Sequence, residues 1–318
     1  MHGTWIFWLI FNVFVLAMLA LDLGVFHRDQ HVVGVREAIG WTALWVGLAA
    51  AFAVLIYFFG HTIVAQPGRA NSELTLEFIT GYIIEQSLSV DNLFIFLLIF
   101  RYFKVPQENQ HVVLFWGVIG ALIMRAIFIA TGVTLLNRFH WIVYIFGAIL
   151  VYSGIKLLRQ HGADIHPEKN PVLRGFRKIF RLTENYEGEK FFVRRDGLRY
   201  ATPLALVLIV VETTDLLFAV DSIPAVLAVT REPFIVYTSN VFAIMGLRSL
   251  FFALSGLLDA FHLLHYGLSL ILIFIGLKML AANFIEVPTV IALGVVAGIL
   301  VASVALSLAF PKKHAEAG

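Results

Sequence analysis

Of the 318 residues, 60% are hydrophobic and 14% are charged, a balance that leaves too little polar surface for a soluble domain of this length. The absence of cysteine excludes disulfides, thiolate metal sites and cysteine nucleophiles. A net charge of +2, with no arginine-rich stretch interleaved with aromatics, excludes nucleic acid as the expected partner.

What remains is a polytopic, all-α membrane protein in a lipid bilayer, because apolar runs of about 20 residues read as transmembrane helices. Nine candidate spans follow one another at about 5–26, 37–59, 77–100, 110–136, 140–158, 202–228, 235–257, 264–282 and 288–309. The first has no basic segment before it and no small-residue cleavage site after it, so it reads as a retained span. Asp22, in "LALDLGVF", lies near its inner end, as an interfacial cap or as part of an ion path. Glu37 and Glu77 open the second and third spans, where carboxylates favour a helix N-terminus. Trp5, Trp8, Trp41 and Trp141 read as interface anchors.

The third span carries "EQSLSVDN" at 85–92, with Glu85, Asp91 and Asn92 inside an apolar run. The fourth carries Arg125 in "ALIMRAIF", and the fifth ends near Lys156 in "YSGIKLL". A polar, basic gap at 159–201 holds ten Lys and Arg residues. A short amphipathic helix is expected there around Leu173 to Leu182, and a small hairpin in "KFFVRRDGLRY". The sixth span carries "ETTDLLFAVDSIPAV", with Glu212, Asp215, Asp221 and Ser222. The seventh holds Arg248 in "IMGLRSLFF", and the eighth holds Lys278 in "FIGLKML".

Spans three to five therefore resemble spans six to eight. Each unit has an acid, five residues, a second acid after Val, then an Arg, then a Lys; Arg and Lys lie 31 residues apart in one unit and 30 in the other. Three spans per unit make the units enter the membrane from opposite sides, the inverted-topology repeat of many secondary transporters. The expected organisation of residues 1–318 is one transmembrane domain. It comprises repeat units at about 77–158 and 202–282, a loop at 159–201, and extra helices at about 5–59 and 288–309. Arg69, Arg138 and Arg231 fall in gaps on one side. Sixteen Lys and Arg fall on the other: Arg28, Arg36, Arg101, Lys104, the ten of the long loop, Lys312 and Lys313. This asymmetry places the N-terminus outside, and the long loop and C-terminus in the cytoplasm.

A charge at a helix centre costs about 2.5–3.5 kcal/mol on the insertion scale, so Glu85, Asp91, Glu212, Asp215 and Asp221 together cost on the order of 10 kcal/mol uncompensated. Arg125 and Arg248 are the basic groups near mid-span within the units, and a bound divalent cation fills the remaining deficit. Structural pairing with the acids accounts for the two arginines, and Lys156 and Lys278 either join that charge pairing or snorkel from a helix end. Glu212 and Asp215 share a helix face. Asp215 and Asp221 splay by about 120° on a straight helix. A helix break at or near Pro224, whose missing N–H frees the Val220 carbonyl, would bring them back together. All the donors, Ser87, Ser89, Asn92 and Ser222 included, are oxygens or amides, which suits Mg2+, Ca2+ and Mn2+.

"EQSLSVDNLFIF", the run from "ATPLALVLIVVETTDLLFAVDSIPAV" to "FAIMGLRSLFFAL", "ALDLGVF" and "FIGLKML" together resemble the TerC family of bacterial inner-membrane proteins, over about residues 10–285. The resemblance implies a fold related to the LysE-type exporters and a role in manganese homeostasis, with Mn2+ efflux as the activity. Links to tellurite resistance and alkaline response come with the family. It also implies a metal site on Glu85, Asp91, Asp215 and Asp221, joined by Asn92, Ser222 and Asp22. With no nucleotide-binding motif, an ion gradient, with proton exchange as its natural form, is the expected energy source. No organic cofactor and no enzymatic centre are expected. A homo-oligomer is left open. The alternative is a non-transporting scaffold or stress factor that recruits partners through its basic loop.

Overall fold

A computed structural model describes residues 4–26, 35–64, 68–139, 141–159, 171–195, 197–254, 263–282, 284–285 and 287–309. The elements in order are α1 (Thr4–Phe26), α2 (Val35–Val64), α3 (Asn71–Tyr102), α4 (Gln107–Arg138), α5 (Ile142–Arg159) and α6 (Pro171–Ile179). Then come β1 (Arg181–Leu182), β2 (Phe192–Arg195), β3 (Leu198–Ala201), α7 (Pro203–Leu227), α8 (Pro233–Met245), α9 (Leu247–Leu254), α10 (Leu264–Leu280) and α11 (Thr289–Ala309). Among the described residues, seven stretches are long and apolar enough to cross a membrane, α8 and α9 counting as one, and Trp5–Leu21 and Leu264–Leu280 are shorter apolar helices. Helices satisfy their own backbone polar groups, which is the condition for crossing hydrocarbon. The chain is thus an α-helical, multi-pass membrane protein.

Helices α3, α4, α7 and α8 form the centre: α3 packs on α7 and α8, and α4 packs on the same two. To one side, α1 and α2 meet this centre through a cluster of rings. Phe11, Phe52, Phe234 and Phe242 lie with centroids 5.1–6.4 Å apart. Such aromatic pairs add to the area they bury through edge and offset contacts.

To the other side, α5 and α10 pack on each other at backbone distance. A Cβ on Gly276 would stand 2.7 Å from the Gly147 carbonyl oxygen and 2.8 Å from the Val151 nitrogen. One on Gly154 would stand 2.8 Å from the Ser269 carbonyl. Small residues permit this close approach where packing, not water, drives helix association.

The long loop folds into a cap. β3 pairs with β2 antiparallel and with β1 parallel, in the order β1-β3-β2. The hairpin expected in "KFFVRRDGLRY" is present, and Gly197 turns it at φ +78°. The expected amphipathic helix is also present but stops at Ile179 rather than Leu182, because Arg181 and Leu182 pair with Tyr200 and Ala201 as β1. Tyr186 ties the cap to the bundle by donating its hydroxyl to the Phe103 carbonyl at 2.8 Å, and burial pushes its phenol up to about 12.

The break anticipated in the sixth span does not occur. Pro224 sits in the last turns of a continuous α7, and the helix closes through the Ala228 N–H and the Pro224 carbonyl at 2.9 Å. The interruption falls in the seventh span, at Gly246 between α8 and α9.

Gly276→Ala is expected to push α5 from α10, because two of the three atoms it meets, the Gly147 carbonyl oxygen and the Val151 nitrogen, are backbone and cannot give way. Gly298→Ala, with nothing within 4 Å of its Cβ, is the control. Thermal unfolding in detergent should show a lower midpoint for the first variant and an unchanged one for the second.

Candidate functional site

Four buried polar side chains meet near the middle of the bundle, one from each central helix: Glu85 on α3, Arg125 on α4, Asp215 on α7 and Asn240 on α8. The Arg125 guanidinium forms an ion pair with Glu85 through Nη1 and reaches Asp215 Oδ1 through Nη2 at 3.4 Å. Arg125 Nη1 also donates to Asn240 Oδ1 at 2.8 Å, and Asn240 Nδ2 donates to Glu85 Oε2 at 3.0 Å. Asn240 thus closes a ring between the arginine and one acid, using both halves of its amide. The planar fork of arginine lets one cation serve two carboxylates from different helices.

The centre holds two acids and one base, so with all three ionised it carries one negative charge. Asp215 Oδ2 is buried without a hydrogen-bond partner. So are Ser89 Oγ and Asn92 Nδ2 on α3, and Ser222 Oγ on α7. Unpaired polar atoms are rare in a folded interior and point to a missing partner. Beside Asp215 lies a cavity of about 10 Å³, lined by Phe96, Leu114, Val118, Val211 and Ile244 among others. It has room for about one water.

The remaining expected site residues are distributed around this centre. Glu212 lies against α4, where Gly120 leaves the space its carboxylate fills. Asp221 turns away from Asp215 to α5, where Ser153 Oγ donates to its Oδ1 at 2.6 Å. The two aspartates of α7 thus diverge as a straight helix requires, and α7 has no break to bring them together. Ser87 is occupied by the Ile83 carbonyl. Arg248 is buried in α9. Lys156 is exposed at the end of α5, and Lys278 is half-buried and donates to the Ala228 carbonyl at 3.4 Å. Asp91 lies in α3 and Asp22 in α1, but their side chains lie outside the described residues. Among the described residues, no three His, Asp or Glu side chains converge as a metal cage.

A second polar group closes one end of the bundle. Glu77, expected as a helix-start acid, lies well inside α3, because the helix begins at Asn71 in the polar stretch "NSELTL". Its carboxylate is buried, forms an ion pair with Arg69 and accepts from Thr230 Oγ1 at 2.6 Å. A cavity of about 240 Å³ adjoins it, lined by Arg69, Thr230, Arg231 and Lys278 among others. Burial pushes the neighbouring Glu232 carboxyl above the usual range, and Arg69 opposes the shift. Asn240 and Thr230 were not singled out from the sequence. An amide within the apolar run "TSNVFAIM" was the available signal for Asn240, though its partner lies 155 residues away.

Residues 70–315 match the family described as the integral membrane protein TerC family. A chain from Myxococcus xanthus, "Uncharacterized membrane protein STKORF319", is 49% identical over 309 residues, covering 97% of this chain and 93% of its own. "Putative membrane-bound redox modulator Alx" of Escherichia coli strain K12 is 47% identical over 301 residues, covering 94% and 93%. An "Uncharacterized membrane protein" of Rickettsia bellii is 38% identical over 301 residues, covering 95% and 96%. No solved structure matches.

Arg125→Gln should leave two buried carboxylates without their cation and cost about 3–5 kcal/mol. Adding Glu85→Gln should recover part of that loss, because the uncompensated charge is then removed. Unfolding midpoints of the two single variants and the double variant, read as a cycle, give the coupling.

Proposed function

This chain belongs to the TerC family of integral membrane proteins, and on that footing we propose that it carries a divalent metal cation across the membrane. The direction is export from the cytoplasm and the ion is Mn2+. The observation that carries this reading is the unpartnered Oδ2 of Asp215 in a centre with one more acid than base. The unpartnered hydroxyls of Ser89 on α3 and Ser222 on α7 add oxygen donors on the same two helices. A hard cation meets both needs, charge and ligands. Oxygen donors suit Mn2+, Mg2+ and Ca2+ alike. Mn2+ is the redox-active ion of the three, which accords with a relative named for redox modulation; this cysteine-free chain has no thiol for that purpose.

The transport path runs between repeat units at 77–158 and 202–282. Their packing is reciprocal: α3 of the first meets α8 of the second, α4 meets α7, and α5 meets α10. Glu85 and Asp215, equivalent in the repeat, meet on Arg125. The metal site comprises Glu85 and Asp215 with Asp91, and Asp221, held apart by Ser153 of α5, lies along the path with Glu212, Asn92, Ser222 and Asp22. Arg125 holds Glu85 and Asp215 when the cation is absent, and buried Arg248 adds a second positive charge in the other unit. Lys156 and Lys278 provide positive charge near the span ends. In this closed bundle the cavity beside Asp215 is far smaller than a hydrated cation, so passage requires one unit to rock against the other. Carboxylates that release a metal in a low-dielectric interior favour the protonated form, which couples export to proton entry. The setting is a bacterial inner membrane, with the N-terminus outside and the C-terminus and cap in the cytoplasm.

The test is Mn2+ flux in proteoliposomes under imposed pH and voltage gradients. Asp215→Asn and Asp221→Asn, each confirmed as folded, should lower flux by about 10–100-fold or more, the range seen when metal-binding groups are disturbed. Full flux in folded variants would assign the acids to Arg125-centred packing alone. No flux from folded wild type under either gradient would favour a scaffold over a transporter.

A further inference from the structure

The cap on the bundle end has a surface that the transport reading does not use. In α6, Leu173 and Phe176 share the face turned to the protein, Phe180 just past the helix stacks on Phe176 at 4.5 Å, and Leu173 is buried with Leu204 and Val207 of the first turns of α7. The apolar arc of α6 is wider than that face. Val172 and Ile179 continue it outward and are 52% and 77% exposed. Arg177 and Lys178, both exposed, flank the arc.

The hairpin extends the same surface. The Phe192 ring stands 5.7 Å from Phe180 and 6.5 Å from Phe176, yet Phe192 is 49% exposed. Register and side-chain alternation put Phe192, Arg194 and Arg199 on one face of β2 and β3. Arg194 stands directly opposite Arg199. Like charges in a cross-strand pair oppose folding, and an anion between them removes the repulsion. Exposed apolar side chains, cations at their edge and a self-repelling arginine pair thus lie on one small unit. The unit is also held against the bundle: α6 packs on α7, and Tyr186 donates to the Phe103 carbonyl just beyond α3.

We propose that α6 and the β2–β3 hairpin dock on the anionic phospholipid headgroups of the adjoining leaflet, with Val172, Ile179 and Phe192 entering the interface and Arg177, Lys178, Arg194 and Arg199 binding lipid phosphate. A short amphipathic helix with cations beside its apolar arc, tied to the end of membrane spans, has the composition of an interfacial helix that anionic lipid attracts. The inference stands whether or not the protein transports metal.

The full chain has no cysteine, so Ile179→Cys gives a single site for an environment-sensitive fluorophore. It is compared in nanodiscs of phosphatidylcholine and of phosphatidylcholine mixed with phosphatidylglycerol. A blue shift and reduced quenching by aqueous iodide are expected in the anionic discs, and raised salt reverses both. Each cation near an anionic leaflet strengthens partition about fivefold. Arg177→Gln, Lys178→Gln, Arg194→Gln and Arg199→Gln combined should therefore abolish the shift, with an unfolding midpoint no lower than that of the wild type. Equal emission in the two lipids, or a shift that survives the fourfold variant, would overturn the proposal. So would protection of position 179 that appears only when soluble acidic protein is added.

Discussion

One guanidinium shared by two carboxylates sets the terms for the whole bundle. Arg125 binds Glu85 and Asp215 from different helices, and Asn240 holds both the arginine and Glu85. In hydrocarbon, a charge without its partner is among the costliest features a helix can carry. Each central helix must therefore stand at the height and rotation that brings its polar group to the centre. Lysine could not replace the arginine, because an ammonium offers a point charge and not a fork.

The outer helices are held by different means. The aromatic cluster around Phe11 and Phe234 and the glycine-lined seam of α5 and α10 contain no charges. Apolar packing carries most of these contacts, joined by single hydrogen bonds such as Ser153 to Asp221 and Tyr237 to Asn12, which suits elements that face lipid on their far side. Polar contacts reappear at the ends, where Glu77 joins α3 to Thr230 after α7, and where Tyr186 fastens the cap. The protein thus concentrates ionic contacts at its centre and its two ends, and largely apolar contacts between them.

The spans were legible because hydropathy over about 20 residues has few competing explanations. The hairpin was legible from "RRDGLR", where Gly197 takes the positive φ the turn needs. The start of α3 was not, since "NSELTL" is helical yet too polar for an apolar run. Pro224 misled for a physical reason. A proline so near a helix end frees one carbonyl without bending what precedes it, and α7 stays straight enough for Asp215 and Asp221 to diverge. Asn240 stayed hidden because its meaning comes from groups 115 and 155 positions away. The carboxylates themselves were plain in the sequence, but which of them would share an arginine was not.

The order of synthesis gives the central network a direction. Glu85 and Arg125 lie on consecutive helices, so α3 and α4 enter the bilayer as a hairpin already neutralised at its core. Asp215 and Asn240 arrive with α7 and α8, after the whole cap sequence has been translated. When α7 inserts, its acids meet an arginine already in place. The first half of the chain thus serves as the template on which the second half is received, and an early fault in α4 reaches helices made long after it.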